Sequence, residues 1–67
     1  MCLATVYLKN ANGQENICKN IADIRMENGE WVFTDLFGKS ISVKSQLERI
    51  NLLDNSVFLS EIKSTEA

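Results

Sequence analysis

Cys2 stands directly behind Met1 in Met1-Cys2-Leu3-Ala4, where one residue can offer a metal both a thiolate and its own backbone nitrogen. Those two donors close a five-membered chelate ring. Removal of Met1, which the small side chain of Cys2 permits, frees the nitrogen as an amine. With Met1 in place the nitrogen is an amide that must lose its proton, and the Met1 amine is available as a third donor. Thiolate and strong nitrogen donors in one plane suit a d-block ion such as Ni(II) or Cu(II). A single chelate leaves a square-planar ion half satisfied, and a second from a symmetric partner completes it. By position alone, the commoner role of such a cysteine is a small apolar residue that opens a strand.

The remaining chemistry is sparse. The chain has no histidine, which removes the usual general base near neutral pH, the Ser-His and Cys-His nucleophile pairs and nearly every zinc-hydrolase site. Cys2 and Cys18 form neither a CxxC pair nor a zinc cluster. Asp23, Asp35 and Asp54 lack the spacing of a calcium loop. The acidic residues read as a solvated face, and so small a chain leaves little room for a substrate cleft. An enzyme is therefore not expected.

With 67 residues, the chain is expected to form one domain near the lower size limit for autonomous folding. The final residues, 63–67, read as a frayed polar tail. The composition, 45% hydrophobic and 24% charged, is that of a globular protein. A net charge of −2, with basic residues scattered singly, argues against nucleic acid. No aromatic is flanked by basic residues in a stacking-type motif. The apolar start lacks a basic leader segment and is broken by Lys9 and Asn10. No apolar run approaches the roughly 20 residues of a membrane span. A cytoplasmic location, with reduced thiols, is the expectation.

Short strands must position these residues. Cys2, Ala4, Val6 and Leu8 alternate with Leu3, Thr5, Tyr7 and Lys9, a period-two pattern. Asn10-Ala11-Asn12-Gly13 is turn chemistry, and a second strand follows, clearest from Ile21 to Glu27. Symmetric closure of this hairpin about residues 11 and 12 places Cys18 opposite Thr5, on the face away from Cys2, as a packing residue. Asn28-Gly29 between alternating apolar runs predicts a type I′ hairpin, with Met26 opposite Trp31 and Ile24 opposite Phe33 on one buried face. Leu36 to Lys39 breaks the pattern, and Ser40 to Val43 begins another strand. Ser45-Gln46-Leu47-Glu48 fits a capping box and predicts one helical turn. Two closing strands, Asn51 to Leu53 and Val57 to Ile62, are joined by the turn cluster Asp54-Asn55-Ser56. The fold class is all-β: a small, partly open Src-homology-3-like barrel of five to six short strands, with one helical turn before the last hairpin. An oligonucleotide-binding-type barrel is the alternative.

With Cys2 and this strand order in place, the sequence resembles the CooT family of small nickel-binding proteins, associated with maturation of nickel-dependent carbon monoxide dehydrogenase. The matching elements are Met1-Cys2-Leu3-Ala4 running into an alternating strand, the turn near Gly13 and an Ile-rich second strand. Thr34 to Phe37 in a Thr-x-Leu-Phe pattern and Arg49-Ile50-Asn51-Leu52 before a final Val-x-Leu strand also match. The resemblance implies a homodimer of small β-barrels that binds one Ni(II) between its chains, acting as a metallochaperone for a nickel enzyme such as carbon monoxide dehydrogenase or for its maturation proteins. The family's metal-binding cysteine falls on Cys2 and on no other position. Some members are labelled predicted RNA-binding proteins, which this acidic chain does not support physically. The alternative is an interaction module without metal, binding a peptide or RNA through the barrel surface.

Overall fold

The computed structural model describes residues 3–61, so Cys2, Ile62 and the tail 63–67 lie outside the described residues. Six strands form one sheet: β1 (Ala4–Asn10), β2 (Gly13–Glu27), β3 (Glu30–Asp35), β4 (Ser40–Val43), β5 (Ser45–Asn51) and β6 (Ser56–Glu61). Their spatial order is β4-β3-β2-β1-β6-β5. Neighbours pair antiparallel except β1 and β6, which run parallel.

The edge strands β4 and β5 are joined through Lys44 alone. Two Cα–Cα steps of about 3.8 Å cannot span a flat six-stranded sheet, so the sheet must curl. β2 supplies the bend. Over its 15 residues it carries extra residues at three register shifts, two against β1 and one against β3. Such bulges kink a strand and tighten its twist. Asn20, at φ 59°, sits in the bend, beside Ile21, which pairs with Ala4 on one side and Asp35 on the other. The product is a curled half-barrel, the partly open all-β form expected.

The inner face holds the core of Val6, Ile21, Phe33, Val57 and Leu59, with Ala4, Leu8, Ile17, Cys18, Trp31 and Val43 packed against it. Towards the open edges the cover thins, leaving Ile24, Met26, Ile41, Leu47 and Ile50 substantially exposed. The β2–β3 hairpin has the expected register, with Met26 opposite Trp31 and Ile24 opposite Phe33. Burial is less even than expected. Phe33 is 1% exposed, whereas Met26 is 51% exposed, because β4 and β5 do not pair and no second layer covers the hairpin's outer end.

The helical turn expected at Ser45 is absent: Ser45–Asn51 is β5, laddered to β6. Ser45 is buried and its Oγ has no hydrogen-bond partner among the described residues, so it caps nothing. The β5–β6 ladder sets Leu47 beside Leu59 and Ile50 beside Val57, and Leu59 and Val57 are buried in the core. Local capping preference loses to that tertiary term. Leu52 and Leu53, expected as strand, form part of the β5–β6 turn instead.

Candidate functional site

The chemistry singled out in the sequence lies at the start of β1. Cys2 itself is outside the described residues, which begin with its neighbour Leu3. Leu3 is half-buried and leads directly into β1.

Two stapled turns flank this point. On one side, the Thr5 N–H donates to the Asn55 carbonyl at 2.9 Å, tying β1 to the β5–β6 turn. That turn is held by Asn51, whose Oδ1 accepts the N–H groups of Leu53 at 2.9 Å and Asp54 at 3.2 Å. Asn55 takes the left-handed backbone conformation, φ 54°, that releases the chain into β6. On the other side, the Leu36 N–H donates to the Asn20 carbonyl at 2.9 Å. Asp35 Oδ1 accepts both the Phe37 and Lys39 N–H groups at 2.9 Å, which closes the β3–β4 turn. Side-chain oxygens that satisfy turn amides are the local reason these Asn and Asp residues stand where they do.

Cys18 is not where symmetric closure of the first hairpin places it. From Asn10–Gly13 to Tyr7–Asn16 the register is symmetric, but Ile17 is then an extra residue and Cys18 faces Val6 instead of Thr5. The Asn16 side-chain amide clamps this bulge, donating to the carbonyls of Val6 at 3.0 Å and Cys18 at 3.1 Å. The shift turns Cys18 towards the core, where it packs as expected of a structural cysteine. Burial raises its thiol pKa, and the charge of Asp35 adds to the rise. A thiol held protonated is a poor metal ligand. Among the described residues, no three His, Cys, Asp or Glu side chains converge as a metal cage would require.

One cluster was invisible in the linear sequence. Parallel pairing of β1 with β6 sets Tyr7 beside Phe58 on the outer face, rings stacked at 5.4 Å and 14°. The Arg49 guanidinium lies 4.9 Å from the Phe58 ring centre, a cation–π contact. Lys9 reaches Glu48 at 3.9 Å nearby. Arg49 and Lys9 are thus tied into the sheet's outer surface, not scattered freely as their sequence positions suggest. Only the strand order, not residue spacing, could have revealed this.

Comparison with known proteins bears on the N-terminal site. The sequence profile of the family described as CO dehydrogenase accessory protein CooT matches residues 1–60. The fold is similar to a crystal structure assigned to CooT from Carboxydothermus hydrogenoformans, with a TM-score of 0.83 and 18% identity, over 92% of this chain and 100% of that one. No curated protein matches the chain.

Proposed function

Since the chain belongs to the CooT family of CO dehydrogenase accessory proteins, we propose that it carries Ni(II) as cargo for a nickel enzyme. The ion is held between two copies of the chain. Each copy contributes the Cys2 thiolate and the adjacent backbone nitrogen, four donors in all for a square-planar ion. The observation that carries this reading is the family match, which begins at residue 1 and so includes Cys2. Cys18, turned inwards and held as a thiol, offers no competing ligand. The accessory role of the family supports carbon monoxide dehydrogenase as the recipient.

Nickel titration of the wild-type protein, Cys2→Ser and Cys18→Ser tests this, followed by calorimetry and by the thiolate-to-nickel charge-transfer absorbance. One Ni(II) per two chains is expected for wild type and for Cys18→Ser, and none for Cys2→Ser with its fold intact. Native mass spectrometry of the same samples reports Met1 processing and stoichiometry together. One ion per chain that survives loss of Cys2 would show the proposed site to be wrong.

A further inference from the structure

The two arginines of the chain stand in opposite environments. Arg25 is held by two carboxylates, Glu27 at 2.6 Å and Asp23 at 3.1 Å. Arg49 forms no ion pair among the described residues. It lies instead 4.9 Å from the centre of the Phe58 ring, which offers no oxygen acceptor and is itself stacked on Tyr7. A guanidinium positioned by an aromatic ring, without a carboxylate, keeps its N–H fork for a ligand. Beside it opens a cleft of about 390 Å³, lined by Lys9, Gly13, Gln14, Glu48, Arg49 and Phe58. Strand pairing assembles this lining, since β5 sets Arg49 opposite Phe58 and the first hairpin sets Lys9 opposite Gln14. The volume falls within the range of small-molecule sites, about 300–1,000 Å³. Six lining residues are far fewer than the roughly 20–30 that one side of a protein interface supplies.

The charges of the cleft select its ligand. Lys9 and Arg49 against Glu48 leave one net positive charge there, although the whole chain carries −2. Lys9 and Glu48 approach only to 3.9 Å, with side chains 62% and 39% exposed, a contact too loose and too wet to hold Lys9 in place. One negative charge is therefore matched, whereas a second would meet Glu48 uncompensated. A carboxylate is the monoanion that fits the guanidinium fork in both charge and geometry. The Phe58 ring supplies an apolar wall for the planar body that carries it. We infer that this cleft binds a small aromatic monocarboxylic acid, its carboxylate on Arg49 and Lys9 and its ring against Phe58. The site is independent of the nickel reading, because Lys9 and Leu3 are separated by about 20 Å of extended chain along β1.

Titration of the full chain with benzoate, benzamide and inorganic phosphate at pH 8, followed by amide NMR shifts, tests this. Benzoate is expected to saturate at about millimolar concentration, as a ligand of few atoms does, and to move the amides of Gln14, Arg49 and Phe58 most. Neutral benzamide and dianionic phosphate should each bind on the order of tenfold more weakly. Arg49→Gln should weaken benzoate on the order of tenfold, and Arg49→Lys should restore little of it, because an ammonium has neither the fork nor the stacking plane. Glu48→Gln removes the opposing charge and should bring phosphate level with benzoate. Cys2→Ser should leave benzoate binding unchanged. Benzamide that binds as tightly as benzoate, an Arg49→Gln variant as tight as wild type, or shifts centred away from this cleft would overturn the inference. Benzoate that fails to saturate at ten times the expected concentration would overturn it as well.

Discussion

Cys18 faces Val6 across the first hairpin, one position out of step with the symmetric turn that precedes it. That single extra residue decides which face the thiol occupies. It packs against the core instead of standing on the outer face beside Thr5.

Burial and Asp35 raise the Cys18 pKa in the folded protein, so stability should depend on alkaline pH with a definite sign. The fold favours the protonated thiol. Below the ordinary thiol value of about 8.5, that preference is fully present and gives no slope. Above it the unfolded chain loses its proton first, so stability falls with rising pH until the folded thiol ionises as well. Urea melts from pH 7 to pH 10 should show this slope in wild type and a flatter one in Cys18→Ala. Iodoacetamide should modify Cys18 more slowly than Cys2 at pH 8.

Phe33, 1% exposed at the centre of the inner face, should be the largest aromatic contributor to stability. Phe33→Ala is expected to cost about 3–5 kcal/mol, enough to leave so small a domain largely unfolded. Trp31 is only half-buried, between Met26 and Val43, and Trp31→Ala should cost less, about 2 kcal/mol by the same scaling. Denaturant midpoints of the two variants decide the order. A larger loss at Trp31 would mean that something outside this chain covers it.

Asn28 and Gly29 turn the second hairpin with φ of 52° and 80°. A Cβ on Gly29 meets nothing within 4 Å, so Gly29→Ala tests backbone strain without a clash. The expected cost is about 1–2 kcal/mol, the penalty of the left-handed region for an L-residue. Asn28→Gly should change stability by only a few tenths of a kcal/mol, since Gly enters that region without steric cost. Thermal melts of both single variants provide the comparison.

Nickel affinity should rise with pH, because each Cys2 thiol must ionise before it binds. Two thiols per ion give a gain of at least about a hundredfold per pH unit below the thiol pKa of about 8.5, and deprotonation of the two backbone nitrogens steepens it further. Competition titrations against a chelator of known affinity at pH 6.5, 7.0 and 7.5 measure the slope. A pH-independent affinity would mean that thiolates are not the ligands.

The elements closest to chemical certainty in the sequence were local ones. Asn28-Gly29 specified its turn and the register of Met26 with Trp31, because positive φ at two adjacent positions is a property of those residue types alone. The all-β class followed from period-two patterning, and Cys2 stood out through its covalent position, which no folding alters. Tertiary structure decided whatever depended on non-local pairing. The capping box at Ser45 yielded to the β5–β6 ladder. The Asn16 clamp, which reaches the Val6 carbonyl ten residues away, moved Cys18 to the core face. Tyr7, Phe58 and Arg49 met only because β6 runs parallel to β1. Side-chain type and spacing encode what a residue can do within a few positions of itself; a curled sheet determines which of those residues come together.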